Sequence, residues 1–180
     1  RCANSRRALL HAGALTARRF AGALALSGPA IVRRAGHIAA MPMTPLEELR
    51  HSCSHVLATA VLRLWPEAQL AYGPPVETGF YYDLEMPHRI SQEDFPRIEE
   101  EMKKEIKANN TFEKIVVTRE QAIADANSGR LGGLCDRGVS AKFKLDLLQQ
   151  IPEGEPISYF KNGDFIDLCA GPHVMRTGNI

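Results

Sequence analysis

The stretch from Thr44 to Pro66 leaves this chain little choice. Thr44, Pro45 and Glu47 supply an N-cap side chain, a proline at the first helical position and the third-position acid of a capping box. Pro66 stops whatever they start. A helix is therefore expected from about Pro45 to Trp65. With 3.6 residues per turn, Leu46, Leu49, Cys53, Val56, Leu57, Ala60 and Leu64 fall on one stripe, the expected core face. His51 and His55 fall on the opposite side, beside Ala58 and Leu62, as an i,i+4 pair with both imidazoles on one face. Cys53 belongs to the core stripe and is expected to be structural.

A second stretch, Asp167-Leu168-Cys169-Ala170-Gly171-Pro172-His173, carries the complementary groups. Ile157 to Phe160 and Phe165 to Leu168 flank Asn162-Gly163, a strong hairpin signal. Strand periodicity and the Gly171-Pro172 break then put Cys169 at a strand end and His173 on the loop beyond. Alternation places Asp167 on the same face as Cys169. If the hairpin packs beside the first helix, His51, His55, Cys169 and His173 converge. Such a set suits either a tetrahedral metal or a metal-free cluster that positions a water for hydrolysis. Each histidine taken singly is as well explained as a satisfied surface or core residue, and it is the coincidence of two pairs that points to a site. Covalent catalysis by Cys169 is disfavoured, because a protease-type thiol sits at a helix start with its base distant in sequence. Asp167 beside imidazoles can fix a tautomer or hold a water, or it is a salt bridge near a turn. Lys144 is ordinary solvated lysine by composition, with binding of a phosphate or ribose oxygen as its alternative.

Between these stretches the sequence reads as a mixture of short elements. Strands are expected over Gln69 to Tyr72, Gly79 to Leu84 and Phe112 to Thr118, with Gly73-Pro74-Pro75 as a turn and Tyr81 and Tyr82 on opposite faces. Ser91 with Asp94 caps a helix through about Ala108, whose charged run from Glu99 to Glu105 reads as a solvated face. Thr118 with Gln121 starts another helix, ending near Gly129. Gly129 to Gly138 reads as a loop, and Phe143 to Gln150 as a short helix ended by Pro152.

Charge divides the chain. Residues 1–40 hold seven arginines and no acid, so of the 22 Lys plus Arg and 21 Asp plus Glu, 15 bases and all 21 acids fall in residues 41–180, a net of −6. The first 40 residues, which begin with Arg1, read either as a basic, amphipathic transit peptide or as upstream sequence translated in error, with the start at Met41 or Met43. The second reading is favoured, because Met41-Pro42-Met43 runs straight into the helix start. Residues 1–40 are accordingly set apart as a leader and 41–180 as the folded domain. Four cysteines, Cys2, Cys53, Cys135 and Cys169, form no close-spaced pair and no disulfide framework, which points to a reducing compartment. No run of about 18 apolar residues exists to span a membrane.

Several motifs, in order and with consistent spacing over residues 41–180, closely resemble the threonyl-tRNA synthetase family. They are Arg50-His51-Ser52-Cys53-Ser54-His55, Gly73-Pro74 with Gly79-Phe80-Tyr81-Tyr82-Asp83, Pro152-Glu153-Gly154-Glu155, and Asp167 to Val174 followed by Thr177-Gly178. The resemblance is to the editing domain shared with alanyl-tRNA synthetases, and it implies an α+β fold with a helix packed on an antiparallel sheet. It implies hydrolysis of the ester of serine mischarged onto threonine tRNA. Site roles follow for His51, His55, Cys169 and His173, with Tyr82, Lys144 and Asp167 at matching positions in the same cleft. Alanyl-type relatives bind zinc with the equivalent four groups, whereas the threonyl type works without it. The Gly79 to Asp83 stretch and the residues after His173 favour the threonyl type. One methyl is worth only about 1 to 3 kcal/mol of discrimination, which is why serine calls for a second, hydrolytic sieve.

The resemblance also implies what these residues do not carry. In the family an N-terminal ubiquitin-like domain comes before this one. A ligase core that uses ATP, an anticodon-binding domain and the expected homodimer contacts come after it. The −6 domain lacks the basic footprint of independent tRNA binding. Weak or no deacylation at physiological salt is therefore expected of these residues alone. A cytoplasmic location is expected, or a mitochondrial one if residues 1–40 are a transit peptide. A free-standing zinc-dependent hydrolase acting in trans and a structural zinc-binding module are the alternatives.

Overall fold

In the computed structural model, residues 7–13, 42–135 and 137–180 are described. The reading of residues 1–40 as a leader lies outside the described residues, except for Arg7–Gly13. That segment, set aside above, runs as strand β1 antiparallel to a later strand.

The helix α1 spans Pro45–Leu64 and starts as its sequence dictates. The Thr44 hydroxyl oxygen accepts from the Glu47 N–H, and the Glu47 carboxylate accepts from the Thr44 N–H at 2.7 Å. Strands β2 (Gln69–Tyr72), β3 (Pro75–Val76) and β4 (Gly79–Glu85) follow, and β4 pairs antiparallel with β1, β2 and β3. The expected turn at Gly73-Pro74-Pro75 is thus shorter than expected, because Pro75 already pairs with Phe80. After a 3-10 turn at Gln92–Asp94 comes α2, Phe95–Ala108.

The second sheet has the order β5-β7-β8-β6, all antiparallel. It comprises β5 (Phe112–Val117), β6 (Gly133–Leu134), β7 (Ile157–Asn162) and β8 (Phe165–Leu168). Helices α3 (Arg119–Ser128) and α4 (Lys142–Gln150) pack on each other. The β7–β8 hairpin closes over Gly163 and Asp164, with Asn162 paired to Phe165. Gly163 has φ of 59°, the positive value required at the first central position of a two-residue type II′ turn. Four helices and antiparallel sheets among the described residues make the fold α+β, as expected.

Two cores hold it together. One joins α1 through Leu57, Val61 and Leu62 to Leu70, Tyr82, Leu84, Ile98 of α2 and Phe165 of the second sheet. The other lies between α3, α4 and β7, around Ala122, Leu131, Leu148 and Tyr159. Because α1 packs on β3 and β4 of one sheet and β6 of the other, as well as on α2, its middle is buried all round. This corrects the expected one-sided stripe. Leu46 is 52% exposed and Leu49, Cys53 and Leu64 are half-buried, while Ala58 and Leu62, expected beside the histidines on the outer side, are fully buried.

Two further expectations are corrected. The stretch Gly129 to Gly138 is not all loop, since Gly133–Leu134 pairs with Phe165 and Ile166. The charged run in α2 is not solvated throughout. Glu105 is completely buried, and its carboxylate accepts from Arg63 at 2.7 Å, Asn110 at 3.1 Å and Asn162 at 3.2 Å. It is the knot that ties α1, α2 and β7 together. No described helix is long and apolar enough to cross a membrane.

Candidate functional site

The two stretches meet. From α1 come His51 and His55, and from the segment after β8 come Cys169 and His173. One ligand atom from each of the four lies within 4.8 Å of the others. The Cys169 Sγ is 3.4 Å from His51 Nε2 and 3.3 Å from His173 Nε2. His51 and His173 stack with centroids 4.1 Å apart, and His173 also lies flat on Phe112 at 4.7 Å.

A hydrogen bond settles the proton on one of the rings. His51 Nδ1 is 3.0 Å from the Pro172 carbonyl, which can only accept, so Nδ1 carries the proton and Nε2 presents a lone pair toward Sγ. His173 Nδ1 lies 3.1 Å from the Ser52 hydroxyl. His55 Nδ1 is buried with no hydrogen-bond partner among the described residues.

Burial governs the charge state. All three imidazoles have their pKa lowered first by desolvation, and His55 and His173 are held well below the usual value, with neighbouring imidazoles adding to the effect. They are neutral bases at pH 7. The Cys169 thiol is pushed up to about 12, mainly by burial, so it stays protonated despite the Gly171 N–H that points at its sulfur. That state agrees with the sequence argument against a thiolate nucleophile.

Behind the four groups lies a buried ionic pair. Lys144 Nζ is 2.9 Å and 3.0 Å from the two oxygens of Asp167, and it donates to the Ala71 carbonyl at 2.8 Å. The Tyr82 hydroxyl donates to Asp167 as well. Burial, followed by the Asp167 charge, raises the Tyr82 pKa well above its usual value, so the phenol keeps its proton. Lys144 is 1% exposed, so the solvated-lysine reading is set aside. Tyr82 faces inward and Tyr81 is only half-buried, the opposition that strand alternation requires. At Gly73, just after β2, a Cβ would lie 2.3 Å from the Tyr82 ring, so only glycine lets the chain pass this close.

A cavity of about 260 Å³ opens onto these groups. His51, His55, Tyr82, Lys144, Asp167 and Cys169 line it, with Tyr72, Gly73 and Pro74 at one wall. Every residue singled out from the sequence therefore sits at or against one cleft. Sequence reasoning passed over Ser52, whose hydroxyl touches His173, and the aromatic bed of Phe112, Phe160 and Phe165. A serine in mid-helix was a usable signal for the first, since such hydroxyls turn back onto the i−4 carbonyl unless given other work.

No protein-family model matches the chain. Among curated proteins it is similar to a protein of Acetivibrio thermocellus, 46% identical over 131 residues. It is likewise similar to one of Clostridium tetani, 44% identical over 132 residues, and one of Clostridium botulinum strain Hall, 46% identical over 132 residues. All three are called threonine--tRNA ligase. Each match takes in 73% of this chain and 19% of the relative, so the chain spans about a fifth of the length of the proteins it matches. With identity of 44 to 46% held over 131 or 132 residues, this chain is homologous to one segment of the threonine--tRNA ligases.

Proposed function

We propose that the cleft hydrolyses the ester of serine mischarged onto threonine tRNA, as the editing module of a protein that ligates threonine to that tRNA. The observation that carries this reading is the convergence of neutral imidazoles on one cavity from segments more than a hundred residues apart, beside a buried ammonium. Such groups match what ester hydrolysis needs. A neutral imidazole, that of His51, which lines the cavity, accepts a proton from water as it attacks the carbonyl and returns it to the ribose oxygen as the ester C–O bond breaks. Lys144 lines the cavity with its ammonium held by Asp167 and Ala71, so its positive charge stabilises negative charge developing on a ribose or carbonyl oxygen. Asp167 and Tyr82 hold that ammonium in place.

A second reading rests on the same lone pairs. The His51 Nε2 acceptor and the neighbouring His173 Nε2 face a thiol that has one proton to give. Zinc would be held by His51, His55, Cys169 and His173, and the Sγ–Nε2 separations of 3.3 and 3.4 Å are close to the roughly 3.6 Å edge of a tetrahedral sulfur–nitrogen site. Four protein ligands close such a site, which is the structural form; a hydrolytic ion keeps one position for water.

The test is single-turnover hydrolysis of seryl- and threonyl-tRNA with the chain in large excess, to offset its acidic surface. Selective loss of serine, abolished in Lys144→Ala and His51→Ala, is expected. Equal or absent hydrolysis of both esters defeats the proposal. Stoichiometric zinc on the purified chain, lost in His51→Ala, with neither ester hydrolysed, moves the site to the structural reading.

A further inference from the structure

The four clustered groups are held by unequal means. His51 has its proton fixed by a backbone carbonyl, whereas His55 Nδ1 has no partner among the described residues. His173 depends on one side chain, Ser52, which is fully buried one helical turn beyond Glu48. Three contacts converge on the Ser52 Oγ: the Glu48 carbonyl at 2.8 Å, the Val174 N–H at 3.0 Å and His173 Nδ1 at 3.1 Å.

A hydroxyl has one proton and two lone pairs. The Val174 N–H fills one lone pair. The Glu48 carbonyl takes the proton, because two oxygens at 2.8 Å with no proton between them would repel. What remains is a single lone pair, so His173 Nδ1 has to be the donor. We propose that Ser52 is a positioning residue that holds the His173 proton on Nδ1, so that Nε2 presents its lone pair to Cys169, which lines the cleft. The same hydroxyl anchors the loop at Val174 to α1, which couples ring orientation to tautomer. Imidazole left to itself in water favours the Nε2–H form, and that form would aim a proton at the Cys169 sulfur. The inference deepens the deacylase reading, but its tautomer component stands without it.

The experiment follows the His173 ring nitrogens by NMR in the 15N-labelled, EDTA-treated chain near neutral pH, since a bound metal would impose the same tautomer. The wild type is expected to show a protonated, pyrrole-type Nδ1 and a pyridine-type Nε2. Ser52→Thr, which keeps the hydroxyl, is expected to retain this, and Ser52→Ala to move the proton largely to Nε2. If Ser52→Ala does not fold, Ser52→Cys, of similar volume and weaker acceptor strength, gives the same readout. A wild-type His173 protonated on Nε2, or a folded Ser52→Ala that keeps the proton on Nδ1, overturns the proposal. Seryl-tRNA hydrolysis in the same variants is expected to fall about 10- to 100-fold in Ser52→Ala, the usual effect of losing an outer partner, and to recover in Ser52→Thr. An equally fast Ser52→Ala overturns the positioning role. A wild type that hydrolyses nothing removes the deacylase reading and leaves the tautomer result to be judged alone.

Discussion

Replacing Asp167 with asparagine isolates the contribution of one buried charge while keeping the side chain's shape. In the native fold its two oxygens accept from Lys144 at 2.9 and 3.0 Å, from the Leu168 N–H at 2.8 Å and from the Tyr82 hydroxyl. The side chains of Lys144 and Asp167 are 2% and 4% exposed, so water cannot replace a lost partner. Asparagine keeps one acceptor oxygen for Tyr82 or the backbone, but leaves the Lys144 ammonium with only the Ala71 carbonyl. Removing one member of a buried pair costs about 3 to 5 kcal/mol, a large part of the roughly 5 to 15 kcal/mol that holds a domain folded. Urea unfolding reads this as a lower midpoint at unchanged slope. The companion variant is Lys144→Met with Asp167→Leu and Tyr82→Phe, which removes the charges and the hydroxyl together. It is expected to be more stable than Asp167→Asn and inactive, because paired charges stabilise little beyond an apolar replacement. If Asp167→Asn loses less than about 1 kcal/mol, or the triple variant is the less stable, the pair is not a buried anchor.

Other outcomes are open to simple measurement. The three imidazoles are kept neutral in the fold chiefly by burial, while the unfolded chain binds protons below about pH 6.5. Stability should therefore fall as the pH drops through that value, by up to about 1.4 kcal/mol per pH unit for each ring, and His55→Phe should lessen the slope by one proton; a flat profile between pH 7 and 5 would falsify this. Burial raises the thiols of Cys53, to about 11, and Cys169, to about 12. Iodoacetamide at pH 7.5 should label the exposed Cys135 well before either, as peptide mass mapping will show, and faster labelling of Cys169 would mean a thiolate is present. Glu105→Ala strips Arg63, Asn110 and Asn162 of their shared acceptor and should cost about 2 to 4 kcal/mol in urea unfolding. A surface-like loss below about 0.5 kcal/mol would mean that the knot is slack.

What was legible in the sequence is what is encoded over a few neighbouring residues. Thr44 and Glu47 close a capping box through contacts three residues apart, and Gly163 supplies a backbone angle that the β7–β8 turn demands. The helix α1 and that hairpin could therefore be placed from the chain alone, and with them the two pairs of polar groups. Local signals say nothing of what packs against an element from elsewhere. A single helix looks two-faced by periodicity, but the second sheet and the segment after β8 cover the face that the stripe left outside, so His51 and His55 became buried neutral bases. Glu105 and Lys144 look like ordinary solvated charges until Arg63 and Asp167, 42 and 23 residues away, arrive beside them. Likewise Ser52 gains its bond to His173 across 121 residues. Sequence decided which groups are present and which elements carry them. Tertiary packing decided which of those groups lost their water, and it is the loss of water that fixes protons and pairs charges.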